Sequence, residues 1–251
     1  MNQEISIVLP AYFNLQEFKL TLVNALNQSK VPKEIIIIDS SKDRSIQDFV
    51  EQQLTVEEIT IIYRRCKKKL FPGAARNFGA SLASSKWIAF LDSKTVPNSN
   101  WLKMTLETAI SKNAYLVFGK TKYKALTRFQ SFLIDSTYGY KPIDTVPGTL
   151  VSKKIFLDTG GFNPNVRSGE DIQWKANVSE ENFYINVDDE AALTYSSLPR
   201  NLYKAIKKFF MYQMYGALVD IQINARSLFL AVFLILITLI VPRWNSMLPG
   251  W

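Results

Sequence analysis

The chain has 251 residues, of which 47% are hydrophobic and 21% charged, and this composition fits one globular domain with a modest appendage while excluding a disordered chain or a multi-span transporter. Lys and Arg total 30 against 22 Asp and Glu, and the formal charge of +8 favours anionic partners such as nucleotide phosphates, nucleic acid or anionic lipid. The absence of His excludes Ser-His-Asp catalysis and His-ligated zinc, so a catalytic base has to be a carboxylate, a Lys or a Tyr.

Short apolar runs alternate with helical patterns in the first half of the chain. The apolar runs predict strands over 5–9, 34–38, 59–63, 87–91 and 115–118. The helical patterns lie at 15–26, 45–54, 74–83 and 99–112. This alternation indicates βαβ units and an α/β fold with a doubly wound, mostly parallel sheet, in which ligands bind beyond the carboxyl ends of the strands.

The rest of the chain is less regular. The aromatic-rich stretch from Lys120 to Leu150 is expected to be variable and irregular, and Asn201 to Ile223 is expected to be helical. We predict three parts: a catalytic or binding domain at 1–199, an amphipathic basic helix at 200–226 and a hydrophobic segment at 227–251.

The C-terminal segment has two interpretations. Leu228 to Val241 is an almost unbroken apolar run, which as a helix of 1.5 Å per residue spans about 21 Å, short of a hydrocarbon core of about 30 Å. The basic helix before it suits an anionic membrane surface, which predicts attachment to the cytoplasmic face of a membrane. The alternative is a core helix that closes the domain.

Two positions after the first strands are candidates for nucleoside binding. The first strand is followed by Pro10, Ala11 and Tyr12 instead of a glycine-rich phosphate loop, and this turn is suited to walling a flat base. Its alternative role is a turn proline with a core tyrosine. Asp39 ends the second strand, where it is suited to accept a hydrogen bond from a nucleobase or a ribose hydroxyl, or else to cap a turn.

Charged residues further along are candidates for chemistry. Asp92 is the first carboxylate after a buried strand and is suited to hold a cation that bridges diphosphate oxygens. Glu170 and Asp171 are adjacent acids whose repulsion favours a general base, although acids at a helix N-terminus are the alternative. Arg76 is suited to reach phosphate or pair with an acid, and the basic run 64–69 is either a solvated surface or an anion contact.

Taken in order, these motifs resemble a family 2 glycosyltransferase of the GT-A fold, over about residues 4 to 200. Each motif is weak alone, but five in the family's order and spacing are specific. The residues that carry the resemblance are 5–12 (ISIVLPAY), 36–39 (IIID), 73–77 (GAARN), 88–92 (IAFLD), and 160–162 (GGF) followed by 169–171 (GED).

The resemblance implies transfer of a sugar from a nucleoside-diphosphate donor to an acceptor hydroxyl, with inversion at the anomeric carbon. It makes Asp171 the general base, with Glu170 beside it. The acceptor expected from the C-terminal segment is a lipid-linked or polysaccharide molecule at the membrane. The donor-binding positions implied are Pro10, Ala11, Tyr12, Asp39, Arg76, Asp92, Ser93 and Lys94.

The metal motif departs from the family's pattern. The resemblance implies a divalent cation, Mn²⁺ or Mg²⁺, at an Asp-x-Asp motif, which here reads Asp92, Ser93, Lys94. Three alternatives stay open: a metal bound through Asp92, donor phosphates and water; Lys94 supplying the positive charge itself; or a weak or inactive enzyme. A second departure is the absence of the His that many relatives carry after the base, where Tyr195 lies nearby.

Two other functions compete with an active transferase. Lys94 makes a degenerate, non-catalytic sugar-nucleotide binding module a real alternative. The charge of +8 and the basic run 64–69 suggest a nucleic-acid binder, but no recognition motif accompanies the charge, and we expect no nucleic-acid partner.

Overall fold

The computed structural model describes residues 3–53, 58–180, 184–216, 219 and 232–236. Over these residues the chain forms a nine-stranded sheet flanked by helices. The strands are β1 Ile5–Ala11, β2 Glu34–Asp39, β3 Thr60–Arg65, β4 Trp87–Phe90, β5 Thr95–Val96, β6 Leu116–Tyr123, β7 Ile143–Ser152, β8 Tyr184–Asn186 and β9 Leu193–Tyr195. The helices are α1 Leu15–Leu26, α2 Ser45–Gln53, α3 Pro72–Leu82, α4 Trp101–Ser111, α5 Arg128–Leu133, α6 Lys153–Asp158, α7 Glu170–Glu180 and α8 Leu202–Gly216.

The first half of the sheet is parallel, as the sequence predicts. Strands lie side by side in the order β3-β2-β1-β4, and each of the three pairings is parallel. Every residue of β2 is buried, which explains its continuous run of four isoleucines, since a parallel strand covered on both faces has no solvent side.

The second half of the sheet adds antiparallel pairings, although five of the eight pairings between the described strands are parallel, in keeping with the expected mostly parallel sheet. β7 pairs antiparallel with both β4 and β6, and β5 pairs antiparallel with β9, while β8 and β9 run parallel to β6. The sheet is therefore mixed. The stretch 120–150, expected to be irregular, contains the end of β6, α5, a π-helical turn at Ile134–Tyr138 and most of β7.

Two apolar layers cover the faces of the sheet. Alternate residues of β1 point in opposite directions: Ile7 joins a cluster with α1, α2 and α4, whereas Val8 joins a cluster with α3, α6 and α7. The sandwich of helices around the sheet leaves the carboxyl ends of β1, β2 and β4 along one edge. This edge is where the sequence predicts ligand binding.

At the C-terminal end, α8 corresponds to part of the basic helix predicted at 200–226. A third cluster joins α8 to the turn after α5 through Leu133, Ile134, Leu198 and Ala205. Among the described residues, no helix combines the length and apolar character needed to cross a bilayer. Most of the predicted apolar run 228–241 lies outside the described residues, so its attachment to a membrane stays a prediction.

Candidate active site

A basic cleft of about 620 Å³ opens beyond the carboxyl ends of β1, β2 and β3. Tyr12 lies on one side, and the Nζ atom of Lys69 lies 4.5 Å from the centre of its ring. The sequence left a solvated surface and an anion contact open for the basic run 64–69, and three cations of this run line the cleft. The residues that line it are Tyr12, Ser40, Ser41, Lys42, Arg65, Cys66, Lys67 and Lys69.

Asp39 lies below the cleft rather than on its surface. Its side chain is fully buried, and both carboxylate oxygens accept hydrogen bonds. The Tyr63 hydroxyl donates to Oδ2 at 2.6 Å, and the backbone N–H of Ser41 donates to Oδ1 at 2.7 Å. Asp39 therefore fixes the turn that presents Ser40 and Ser41. Burial and the Asp39 charge raise the pKa of the Tyr63 phenol well above its ordinary value.

Pro10 and Ala11 lie at the end of β1, where Ala11 pairs with Asp39 across the strands. Ala11 is buried and Pro10 is half-buried, and neither is among the residues that line the cleft, whereas Tyr12 directly after them is. Leu91 donates its N–H to the carbonyl of Val8 at 3.0 Å, which brings the end of β4 beside β1 on the other side. Asp39 and Asp92 therefore follow two strands that flank β1 at the same edge of the sheet.

Arg76 connects Asp92 to the start of α7. The side chain is 3% exposed, and its Nη2 donates to Asp92 Oδ1 at 2.7 Å while Nη1 donates to Glu170 Oε1 at 3.0 Å. Burial lowers the pKa of Arg76, but the charges of Asp92 and Glu170 outweigh burial and raise the pKa above its ordinary value. Of the two possibilities raised by the sequence, the structure shows the acid pair.

Glu170 and Asp171 occupy the first turn of α7, where the helix dipole favours negative charge. Glu170 is buried, and burial raises the pKa of its carboxyl to about 7, with Arg76 opposing the rise and Asp171 adding to it. Asp171 is half-buried, and its Oδ1 accepts from the N–H of Ile172 at 2.9 Å. Asp171 is thus the solvent-accessible acid of the two.

The turns that precede α7 are held by the first half of α3. Asn77 binds both backbone groups of Phe162: its Nδ2 donates to the Phe162 carbonyl at 2.7 Å, and its Oδ1 accepts from the Phe162 N–H at 3.0 Å. A Cβ atom on Gly73 would lie 2.6 Å from the carbonyl oxygen of Asn163 and 3.2 Å from Cγ of Glu170, so only glycine allows this close approach. The motif at 73–77 is therefore a clamp on the loop that leads to Asp171.

The residues around Asp92 do not fit a metal centre. The described residues contain no group of three or more Cys, Asp or Glu side chains placed to hold a metal ion. Asp92 is the one carboxylate of its motif, and Arg76 already holds its Oδ1. Ser93 follows, and then Lys94, whose Nζ lies 3.7 Å from Oε2 of Glu17. One carboxylate that already accepts a hydrogen bond from Arg76, with a lysine two residues away, is a poor set of ligands for Mn²⁺ or Mg²⁺.

A second group of polar residues lies between β5, β9 and α8, and sequence reasoning missed it. The Ser197 hydroxyl donates to Glu17, the Tyr195 hydroxyl donates to the Ser197 carbonyl at 3.1 Å, and Lys208 Nζ lies 3.5 Å from the Tyr195 hydroxyl. Only Tyr195 carried any signal, as the residue near the family's missing His. Glu17 is distant in the chain, and Ser197 and Lys208, although they are near Tyr195 in sequence, belong to no motif that would single them out.

The curled mixed sheet, with acids beyond the carboxyl ends of its parallel strands, belongs to the GT-A class of folds. The crystal structure of Staphylococcus aureus TarS 1–349 in complex with UDP-GlcNAc has a TM-score of 0.62 to this chain, at 16% identity, covering 99% of this chain and 76% of that one. The sequence profile of the family described as "Glycosyl transferase family 2" matches residues 6–165. The chain belongs to that family.

Relatives with assigned names are distant. TuaG of Bacillus subtilis, named as a teichuronic acid biosynthesis glycosyltransferase, is 24% identical over 221 residues, covering 83% of this chain and 87% of TuaG. Glycosyltransferase AglE of Haloferax volcanii is 22% identical over 192 residues, covering 71% of this chain and 62% of AglE. A glycosyltransferase of Rickettsia bellii is 25% identical over 197 residues, which are 74% of this chain but only 28% of that protein.

Proposed function

We propose that the protein transfers a sugar from a nucleoside-diphosphate sugar to a hydroxyl group of an acceptor, with inversion at the anomeric carbon. The family membership and the UDP-GlcNAc complex of TarS support a nucleotide sugar, with UDP as the nucleotide. The observation that carries the proposal is the Arg76 bridge, because it ties Asp92 at the strand edge to the helix turn that bears Asp171.

In this mechanism the nucleoside lies in the basic cleft beside Tyr12, and the diphosphate extends toward Asp92. Asp171 accepts the proton of the acceptor hydroxyl as its oxygen attacks the anomeric carbon. The bond from that carbon to the diphosphate oxygen breaks on the opposite face, and the nucleoside diphosphate leaves with the bonding electrons. Such in-line displacement needs a base on one face of the sugar and positive charge on the other.

The experiment that tests this proposal is Asp171→Asn. The amide keeps the shape of the side chain but cannot take a proton, so we expect turnover to fall by about a thousandfold or more, whereas the affinity for UDP stays within about twofold. Transfer or donor hydrolysis is followed as UDP release, and UDP binding is measured by calorimetry. Asp158→Asn, at the exposed end of α6, is the matched control. Loss of UDP binding in Asp171→Asn would show that Asp171 is not the base.

We further propose that the acceptor is lipid-linked or a polysaccharide at the cytoplasmic face of a membrane. The support is α8, which exposes Leu202, Ile206 and Phe210 together with Lys204 and Lys207. Apolar side chains interleaved with cations suit a helix that lies on anionic lipid. We expect the protein to sediment with phosphatidylglycerol vesicles but not with phosphatidylcholine vesicles. Binding to neither kind of vesicle, or equal binding to both, would contradict the proposal.

The alternative is a sugar-nucleotide binding module without catalysis, which Lys94 favours because it replaces an acid of the family's metal motif. That function predicts UDP-sugar binding with neither transfer nor hydrolysis under any metal condition. The same UDP-release assay separates the two functions.

A further inference from the structure

The side chain that stands at the second acid position of the metal motif is positively charged, whereas a metal site requires negatively charged ligands. Lys94 stands two residues after Asp92, and the carboxylate of Asp92 is already ion-paired with Arg76. A diphosphate that leaves with two or more negative charges still needs stabilisation. The positive charge therefore has to come from side chains in this neighbourhood.

The strand pairing of β5 with β9 places a second cation near Lys94. Thr95 pairs with Tyr195 in the antiparallel register. Lys94 immediately precedes Thr95, so its position in the chain is one residue from the one that faces Tyr195. Glu17 reinforces this link because it contacts Lys94 on one side and Ser197 on the other. The Tyr195 hydroxyl in turn contacts Lys208 of α8 at 3.5 Å. A series of contacts through Glu17, Ser197 and Tyr195 thus connects two lysines from distant parts of the chain.

Lys208 is an unusual lysine for a protein surface. Its ammonium group lies 5.3 Å from the centre of the Tyr195 ring and 5.4 Å from that of Tyr212, and in the described part of the chain no carboxylate lies within 4.0 Å of it. Burial, together with the positive charge of Lys94, lowers the pKa of Lys208 to about 8. An anion placed beside the two lysines relieves both effects.

Lys94 lies close to Asp92 in the chain, because it stands two residues after it and immediately before β5, which pairs with β9. Lys208 lies against the rings of Tyr195 and Tyr212, and Tyr195 belongs to β9. Both lysines are therefore connected to the β5–β9 pair that follows Asp92, the residue toward which the proposed mechanism directs the diphosphate.

We propose that Lys94 and Lys208 bind the diphosphate of the nucleotide sugar and stabilise the departing nucleoside diphosphate, in place of a bound divalent cation. The inference rests on the proposed glycosyl transfer and adds to it two residues and an independence from metal. The lysines act as point charges on phosphate oxygens and undergo no covalent change.

The experiment measures UDP and uridine binding by calorimetry to the full chain, with chelator and with Mn²⁺, and UDP release in parallel. For the unmodified protein we expect UDP affinity and turnover in chelator within about twofold of those in Mn²⁺. Lys94→Met and Lys208→Met should each weaken UDP binding by about tenfold or more, because each removes a charge-assisted contact, while uridine binding stays unchanged. Lys112→Met, an exposed lysine after α4, is the control and should match the parent.

Uridine affinity also reports folding, so a variant that retains uridine binding but loses UDP binding has lost the phosphate contact specifically. Lys208→Arg keeps the charge and should retain most of the UDP affinity. UDP binding or turnover that disappears in chelator and returns with Mn²⁺ would overturn the inference while leaving glycosyl transfer intact. Lys208→Met with normal UDP affinity but a raised KM for the acceptor would overturn it too, by placing Lys208 at the acceptor. UDP binding without any release of UDP from a sugar donor would instead contradict the proposed function.

Discussion

Two buried carboxylates at the same edge of the sheet differ in how many hydrogen-bond donors their oxygens have. Asp39 has a donor for each oxygen, one from Tyr63 and one from a backbone N–H. Glu170 has one donor, Arg76, and within the described residues its Oε2 is buried without a hydrogen-bond partner, as is Nε of Arg76. Asp39 is therefore a complete structural unit beneath the basic cleft. Glu170 depends on a single cation that it shares with Asp92, so its surroundings are the more sensitive to substitution.

The largest expected effect follows from removing the shared cation. Arg76→Met leaves Glu170 buried and unpaired and frees Asp92, and breaking a buried pair in this way costs about 3–5 kcal/mol of unfolding free energy. Urea denaturation followed by circular dichroism measures the loss. Arg44→Met removes an exposed pair with Asp48 and should cost less than about 1 kcal/mol.

The double variant Arg76→Met with Glu170→Leu sharpens this prediction. It removes the stranded charge as well as its partner, so it should recover a large part of the stability lost in Arg76→Met. A double variant no more stable than the single one would mean that Arg76 acts through Asp92 or Phe162 rather than through Glu170.

The next effect is a dependence of the free energy of unfolding on pH, which follows from the buried carboxyl of Glu170. The carboxyl of Glu170 has its pKa raised from 4.5 to about 7 in the folded protein, so between these values the folded state binds the proton more tightly than the unfolded state. Its contribution to stability is therefore present at low pH and is lost as the pH rises through about 7.

Glu170→Gln removes this contribution. The stability of the variant relative to the parent should rise between about pH 5 and about pH 8, as measured by urea midpoints at both values. A constant difference between Glu170→Gln and the parent across this range would contradict the assignment.

The parallel half of the sheet was readable from the sequence because each strand carries its own signal. The run 34–38 is apolar throughout and ends in an acid, and the structure has β2 at Glu34–Asp39. The acids at strand ends were found for the same reason, since the rule that ligands bind beyond carboxyl ends needs only the strands.

In the mixed half the sequence predicted the start of β6 but not the other strands, because those strands depend on contacts between distant residues. Pro147 and Gly148 interrupt the apolar pattern of β7 and argue against a strand, yet the chain pairs there through a register shift opposite Val117 and Gly119. A Cβ on Gly119 would lie 2.4 Å from the backbone carbon of Gly148, so the two strands approach more closely than side chains allow. Such mutual fit has no local signature. The Arg76 bridge is similar: the sequence suggested an acid partner without specifying which acid.

A smaller effect is expected on the other side of the comparison, at Asp39. Tyr63→Phe removes the donor to Oδ2 and leaves a buried carboxylate oxygen unsatisfied, which costs about 1–3 kcal/mol. Thermal or urea unfolding gives the value. Tyr203→Phe, at an exposed position on α8, is the control and should be neutral. A neutral Tyr63→Phe would mean that the Ser41 N–H and the surrounding dipoles already satisfy Asp39.

The smallest effect concerns the cation over Tyr12. Lys69→Met should weaken UDP binding only about two- to fivefold, because a partly exposed cation near an aromatic ring contributes about 0.5–1 kcal/mol and several other cations line the same cleft. Tyr12→Leu should weaken the binding of uridine and UDP alike, since it removes the wall for the base. If Lys69 and Tyr12 act together, the double variant should lose less UDP binding free energy than the sum of the losses in the two single variants. Full additivity would mean that Lys69 reaches the phosphates directly. The loss of UDP affinity in Lys69→Met would then shrink steeply with added salt, because salt screens an exposed charge.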